Sequence, residues 1–516
     1  ATMAELMAPL EHPSKDVRHC AQRRLSERAG SDAGLRGALM SLASDPGRPA
    51  LARIHALWAS AGSVGAGVGG GSETGAVWVR LIQDSDPRVA AQAIRAAGES
   101  GRPEMAPPLI GALTSHSADL RFRAATALGR LGATAAVESL QATLADPDDW
   151  VRYAAFQALN RIGRRHPAAW PAVVAGLASP NPRVVEGTAF ALRATFDDAL
   201  VAALVGFRRD AQRPNAARAA AAGLLADACR QPPAWDGGWW AYHPFRTPRP
   251  AHTVEWSGTA RVREDLVRAL EDGPSDLRLT ALGGLEAESA PAILDAIDTL
   301  RGRETDPAVR ARALEVLAGQ RDARSRPVTV AVLSNAQADS REQAAALRAA
   351  ARLGGPDMAG AVVGWMQRAG AGSALWLEAV TSAETLRATA AVPLIRRAIG
   401  TDDATTAGAI RALGRLGGSE ARSALFSLLE TGPIPVRTLA LAELASSPVP
   451  AEIPALLSAW QQPELRSDAL LALARVPDVR ALDVYLAGIE SRSPEQRAAA
   501  RKALETLRAE ARPVLE

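Results

Sequence analysis

The chain has 516 residues, too many for one compact hydrophobic core, so several domains or a linear array is expected. Hydrophobic residues make up 47% but aromatics only 4%, so the apolar content is mostly Ala, Leu and Val, which suits close-packed helices better than sheets. Acids and bases nearly cancel at net +3, which argues against a nucleic-acid partner, and no apolar run reaches the ~20 residues of a transmembrane segment.

In chain order, one short phrase opens helix after helix: an acidic residue or proline, an apolar residue, then Arg. Asp16-Val17-Arg18 is the first copy. Residues 61–75 are Gly-rich and predict a flexible loop between the second and third hairpins. Gly65, Gly67 and Gly70 match GxGxxG, but no strand signal precedes them, so they predict a linker, not a nucleotide site. Pro87-Arg88-Val89 and Asp119-Leu120-Arg121 follow.

The clearest copy runs from Asp146 to Gly163, after a shorter predicted helix from Ala135 to Leu144. Asp146 and Pro147 read as a helix start, an oxygen acceptor followed by a residue with preset φ. Val151, Ala154, Ala155, Ala158, Leu159 and Ile162 form one apolar stripe at spacings of three and four. Gly163 reads as the stop.

Residues 232–258 break the rhythm. They hold Trp235, Trp239, Trp240 and Trp256, four of the chain's 11 Trp, together with Tyr242, Phe245, His243, His252 and five Pro. The composition predicts a non-helical, aromatic insertion, with helix resuming at Thr259. Beyond it the helix-opening phrase returns at Asp276-Leu277-Arg278, Pro307 to Arg310, Pro435-Val436-Arg437, Glu464-Leu465-Arg466 and Pro494 to Arg497. Several helices carry Leu-Gly near their expected ends, at Leu128-Gly129, Leu282-Gly283, Leu353-Gly354 and Leu416-Gly417. The spacing is about thirty residues, giving about fourteen hairpins.

A lone hairpin cannot bury its own apolar face, so each must stack on its neighbours. Small Ala and Gly residues let the helices approach closely, and the recurrent Arg and Asp are read as a framework ladder from repeat to repeat. On these features the chain resembles the HEAT-repeat family, in the short bacterial form first described in phycobilisome lyases. The resemblance covers nearly the whole length and implies an all-α, right-handed α-solenoid. The expected organisation is 1–231 and 259–516 as HEAT-like repeats, with 232–258 as an insertion between them.

A narrower resemblance lies in His12-Pro13-Ser14, Val17-Arg18, Ala21-Gln22-Arg23 and Ala52 to Trp58. These are similar to the HEAT segment of secreted bacterial proteins that join a sorbosone-dehydrogenase-like propeller to a c-type cytochrome. Trp239-Trp240 and Val254-Glu255-Trp256 resemble the Trp-rich interruption of that segment. Neither propeller nor CxxCH is present, so no redox cofactor carries over. The resemblance implies a periplasmic or otherwise extracytoplasmic scaffold, with a cytoplasmic one as the alternative.

The residues expected to contact a partner protein are Trp235, Trp239, Trp240, Tyr242, His243, Phe245, Arg246, His252 and Trp256. Large rings give contact area at low entropic cost, and the His and Arg add polar contacts. The opposite reading is that these rings fold back as an internal plug. No catalytic, metal or cofactor-binding residue is assigned: the His residues lack ligand spacing, and Cys20 and Cys229 read as buried structural thiols too far apart to bridge. The expected function is a non-catalytic scaffold. The alternatives are an accessory subunit of a redox complex, or an enzyme using Asp236, His243, His252 and Glu255. Carbohydrate stacking on the Trp platform is a third reading.

Overall fold

A computed structural model describes residues 3–64, 72–235 and 251–508. These residues hold thirty α-helices, enough for fifteen hairpins, and their extended pairing is a single antiparallel bridge between Gln231 and Val254. The all-α expectation is met. By internal packing the chain divides into two compact units, Ala1–Leu285 and Glu286–Glu516.

In each unit the second helices of successive hairpins stack on one another. In the first, Lys15–Ala29 packs on Ala50–Val64, which packs on Pro87–Glu99, then Ala118–Leu131, then Asp149–Arg165. In the second, Pro307–Gly319, Ser340–Leu353, Trp376–Thr385 and Asp403–Leu416 form the corresponding series. Val151, Ala155, Leu159 and Ile162 are fully buried, so the predicted stripe is the face that stacks. The seam is tight. A Cβ on Gly98 would lie 2.6 Å from Ala127 Cα, and one on Gly129 would lie 2.7 Å from Ala158 Cα, closer than carbon atoms pack.

Three helix starts are built by a pair of acids two residues apart. In the Asp84/Asp86, Asp146/Asp148 and Glu304/Asp306 pairs, the second acid caps the helix, accepting from the backbone N–H of Arg88, Trp150 and Ala308 at 2.9 Å each. The first acid accepts the second one's own N–H at 2.9–3.0 Å. It also reaches outward. Arg121, one repeat back, donates to both oxygens of Asp146 at 2.7 and 2.9 Å, and Arg53 likewise grips Asp84. The recurrent Arg tethers the loop before its own helix: Arg18 donates to His12 O and Pro13 O, Arg152 to Asp146 O, and Arg497 to Ser491 O, each at 2.7 Å. These side chains form the expected framework.

The structure corrects several local readings. Asp148, not Asp146, caps the helix that begins at Asp149, and Pro147 lies outside it. Gly163 does not end that helix, which runs to Arg165; Gly163 is required because the Trp170 indole occupies the space a Cβ would fill. Pro167 ends it instead, since the residue before a proline is disfavoured in helix. Gly129 is likewise interior, while Gly354 and Gly417 do cap, with φ of +66° and +64°. The Gly-rich loop is shorter than expected: Ala50–Val64 and Ser72–Ile82 are helical into both its ends, and Gly65, Gly67 and Gly70 lie outside the described residues. Helix resumes at Thr259 as expected.

One buried charge cluster joins helices on either side of the insertion. Arg208 and Arg209 both donate to Asp265 Oδ1 at 2.7 Å, and the Arg208 and Asp265 side chains are 1% and 0% exposed. His55 is also buried, with Nδ1 2.6 Å from Gln22 Oε1 and its ring edge-on to His19. Burial, reinforced by Arg18 and His19, pushes its pKa down from 6.5 to about 4.

Candidate interaction surface

The two described ends of the insertion are sewn together. Gln231 and Val254 exchange backbone hydrogen bonds of 2.8 and 3.0 Å. Trp256 Nε1 donates to Ala228 O at 2.8 Å, and Thr259 Oγ1 donates to Cys229 O at 2.7 Å. His252 Nδ1 lies 3.2 Å from Asp227 O. Phe196 packs edge to face with both His252 and Trp256, with ring centroids 5.9 and 5.7 Å away. Two of the expected contact residues, His252 and Trp256, thus meet on one ring, while Trp235 is 59% exposed. Trp239, Trp240, Tyr242, His243, Phe245 and Arg246 lie outside the described residues, as does Asp236.

Glu255 is held by Arg263, whose guanidinium keeps the carboxyl below its usual range, with Arg230 at 4.0 Å. A general acid needs the opposite shift. The thiols differ from expectation in one respect. Cys229 is buried, but Cys20 is half-buried and borders a hollow of about 390 Å³ beside Asp16, His19, Gln22 and Arg23. No disulfide links them. Among the described residues, no group of three or more His, Cys, Asp or Glu could hold a metal ion.

A second aromatic feature lies on the helical stack itself. Trp150, Tyr153, Phe156 and Phe190 form a continuous row over the helices Asp149–Arg165 and Pro182–Leu192, with successive centroids 6.3, 4.7 and 4.6 Å apart. Trp150 is 70% exposed, Tyr153 48% and Phe190 54%. The helical period explains their placement: Trp150 and Tyr153 lie off the Val151–Ala155–Leu159 stripe and so point away from the stack. The rings meet edge to face, at interplanar angles of 70°, 76° and 69°. Tyr153, Phe156 and Phe190 border a groove of about 290 Å³ whose walls carry Asp149, Arg152, Arg183 and Glu186, with Gly187 and Leu144 between them. Three rings of this row stand within the Asp146–Gly163 stretch, and their off-stripe spacing was the available signal.

A family model of HEAT repeats matches residues 76–160. No curated protein matches the chain. Among solved structures it is similar to Kap95p determined with RanGDP, at TM-score 0.50 and 13% identity over 98% of this chain and 78% of that one. It is also similar to Kap121p bound to RanGTP, at TM-score 0.50 and 13% identity over 97% of this chain. Kap121p bound to Pho4p matches at TM-score 0.46 and 13% identity over 97% of this chain. The chain spans 64% of the length of Kap121p. At such identity the two likenesses at TM-score 0.50 show the fold alone, a HEAT-repeat solenoid. Among the described residues, no helix is long and apolar enough to cross a membrane.

Proposed function

We propose that the chain is a non-catalytic scaffold that binds a protein partner on its stacked second helices and at the Trp-rich insertion. The observation that carries this reading is the exposed row Trp150–Tyr153–Phe156–Phe190, in a chain where only 4% of residues are aromatic. Large rings held in water on a rigid helical surface gain most free energy when a partner covers them. The solenoid supplies the rigidity, because each helix is fixed by the repeats on either side. The sewn ends of the insertion hold Trp235 exposed beside the same unit's helices. Two similar structures support this use of the fold: Kap95p and Kap121p were each determined with Ran.

Cross-linking in the native source, followed by mass spectrometry, tests the proposal. A partner is expected to cross-link near the ring row and to be lost in the Trp150→Ala/Tyr153→Ala double variant. No cross-linked protein, or one whose capture ignores these residues, would overturn it. An extracytoplasmic setting is part of the proposal and rests on the sequence resemblance; fractionation of the native source checks it.

A further inference from the structure

We infer that the ring row binds an acidic peptide segment that carries a bulky apolar side chain. The inference rests on the scaffold reading and names the chemistry of the partner.

Three observations point the same way. The first is shape. Rings packed edge to face leave wedge-shaped clefts between them and offer no common flat surface. A Leu, Phe or Trp side chain fits such a cleft, whereas a sugar ring or a nucleobase needs a flat face to stack upon. The floor agrees: Gly187 has no side chain, so the groove between Tyr153 and Phe190 descends to Leu144.

The second is charge. Residues 149–193 contain six Arg but only two carboxylates, Asp149 and Glu186, a surplus of four positive charges. The whole chain carries +3, so the remainder is slightly negative. A segment with Asp or Glu is drawn to this region and a basic one is repelled.

The third is availability. Arg152 is engaged by Asp149 and by loop carbonyls, Arg165 donates to Arg130 O, and Arg193 lies 3.8 Å from Asp227. Arg161, Arg164 and Arg183 are exposed and have no carboxylate partner among the described residues. Arg161 is two helical steps from Tyr153 along one face, ~12 Å away at 1.5 Å per residue. Arg183 stands on the opposite wall of the groove. An extended peptide of about four residues spans from the ring cleft to Arg161. Arg183 on the groove wall, with Arg161 and Arg164 further along the helix that carries Tyr153, suits two or three carboxylates better than the continuous phosphate track of a nucleic acid.

The test pans a random-peptide phage library on the full chain, with the Tyr153→Ala/Phe190→Ala double variant as counter-target. The expected outcome is enrichment of sequences with two or more Asp or Glu beside a bulky apolar residue. A selected peptide, synthesised with a fluorophore, should bind Arg161→Glu/Arg183→Glu about tenfold or more weakly than the parent chain. All four side chains are at the surface, so an unchanged melting curve verifies that each variant folds. Enrichment of basic or uncharged sequences, peptides retained by the counter-target, or no enrichment would overturn the inference. So would competition by oligo(dT) or a cello-oligosaccharide for the same rings, or self-association abolished by Trp150→Ala. If native cross-linking finds no partner, the scaffold reading falls whatever the library yields. If it finds one whose capture survives Arg161→Glu/Arg183→Glu, only the acidic-partner inference falls.

Discussion

Asp146 and Asp148 stand two positions apart and have different tasks. Asp148 satisfies two backbone N–H groups at a helix start, so Asp148→Ala should cost about 1 kcal/mol of stability, read as a lower denaturant midpoint. Asp146 binds Arg121 of the previous repeat, and that guanidinium holds its carboxyl below the usual 3.8. A depressed carboxylate contributes stability above its unfolded pKa and loses it as the pH falls through the folded one. Asp146→Asn should therefore flatten the loss of Tm below about pH 3.8. His55 acts in a separate window. It stays neutral in the fold down to about pH 4, while the unfolded chain takes up its proton below 6.5. Its burial thus destabilises progressively from pH 6.5 towards 4, and His55→Gln should remove that slope from a Tm-against-pH profile. The sequence showed that a helix begins near these two aspartates but not which one caps it. Both types of contact use the same carboxylate, and only the position of Arg121 in space separates them.

At the level of the element, the apolar stripe Val151 to Ile162 was fully legible, because a helical period is a property of consecutive residues. The glycines were legible only in part, since Gly354 and Gly417 do end their helices. Gly129 and Gly163 resemble helix stops in sequence, yet both lie inside helices, where Ala158 and Trp170 leave no room for a Cβ. Gly129→Val should push two second helices apart and destabilise by about 1–3 kcal/mol, whereas a true stop would tolerate it. The pairing of Arg208 and Arg209 with Asp265 was equally hidden, since the partners are separated by the insertion. Asp265→Ala leaves a buried guanidinium uncompensated and should cost about 3–5 kcal/mol, measured by chemical denaturation. Of the expected contact residues, the clustering of His252 and Trp256 depends on Phe196, which carries no signal of its own in the sequence. The row from Trp150 to Phe190 could have been read from its off-stripe spacing, but the concentration of Trp in the insertion outweighed it.

For the molecule as a whole, repetition was the most legible property, because each hairpin repeats the same phrase about every thirty residues. Stability in such an array is a sum of local terms and neighbour contacts. Damage should therefore stay local. Hydrogen-exchange mass spectrometry of Gly129→Val is expected to show faster exchange in Ala118–Leu131 and Asp149–Arg165, with Asp403–Leu416 in the other unit unchanged. Equal acceleration in both units would contradict a neighbour-by-neighbour account. The sewn ends of the insertion have a practical counterpart. Because Gln231 and Val254 close a small ring of backbone bonds, the stretch between them is a cassette bolted at both ends to a finished framework. Foreign sequences grafted there should leave the surrounding helices in place, so the junction offers an engineering port for displaying new recognition loops on a stiff support.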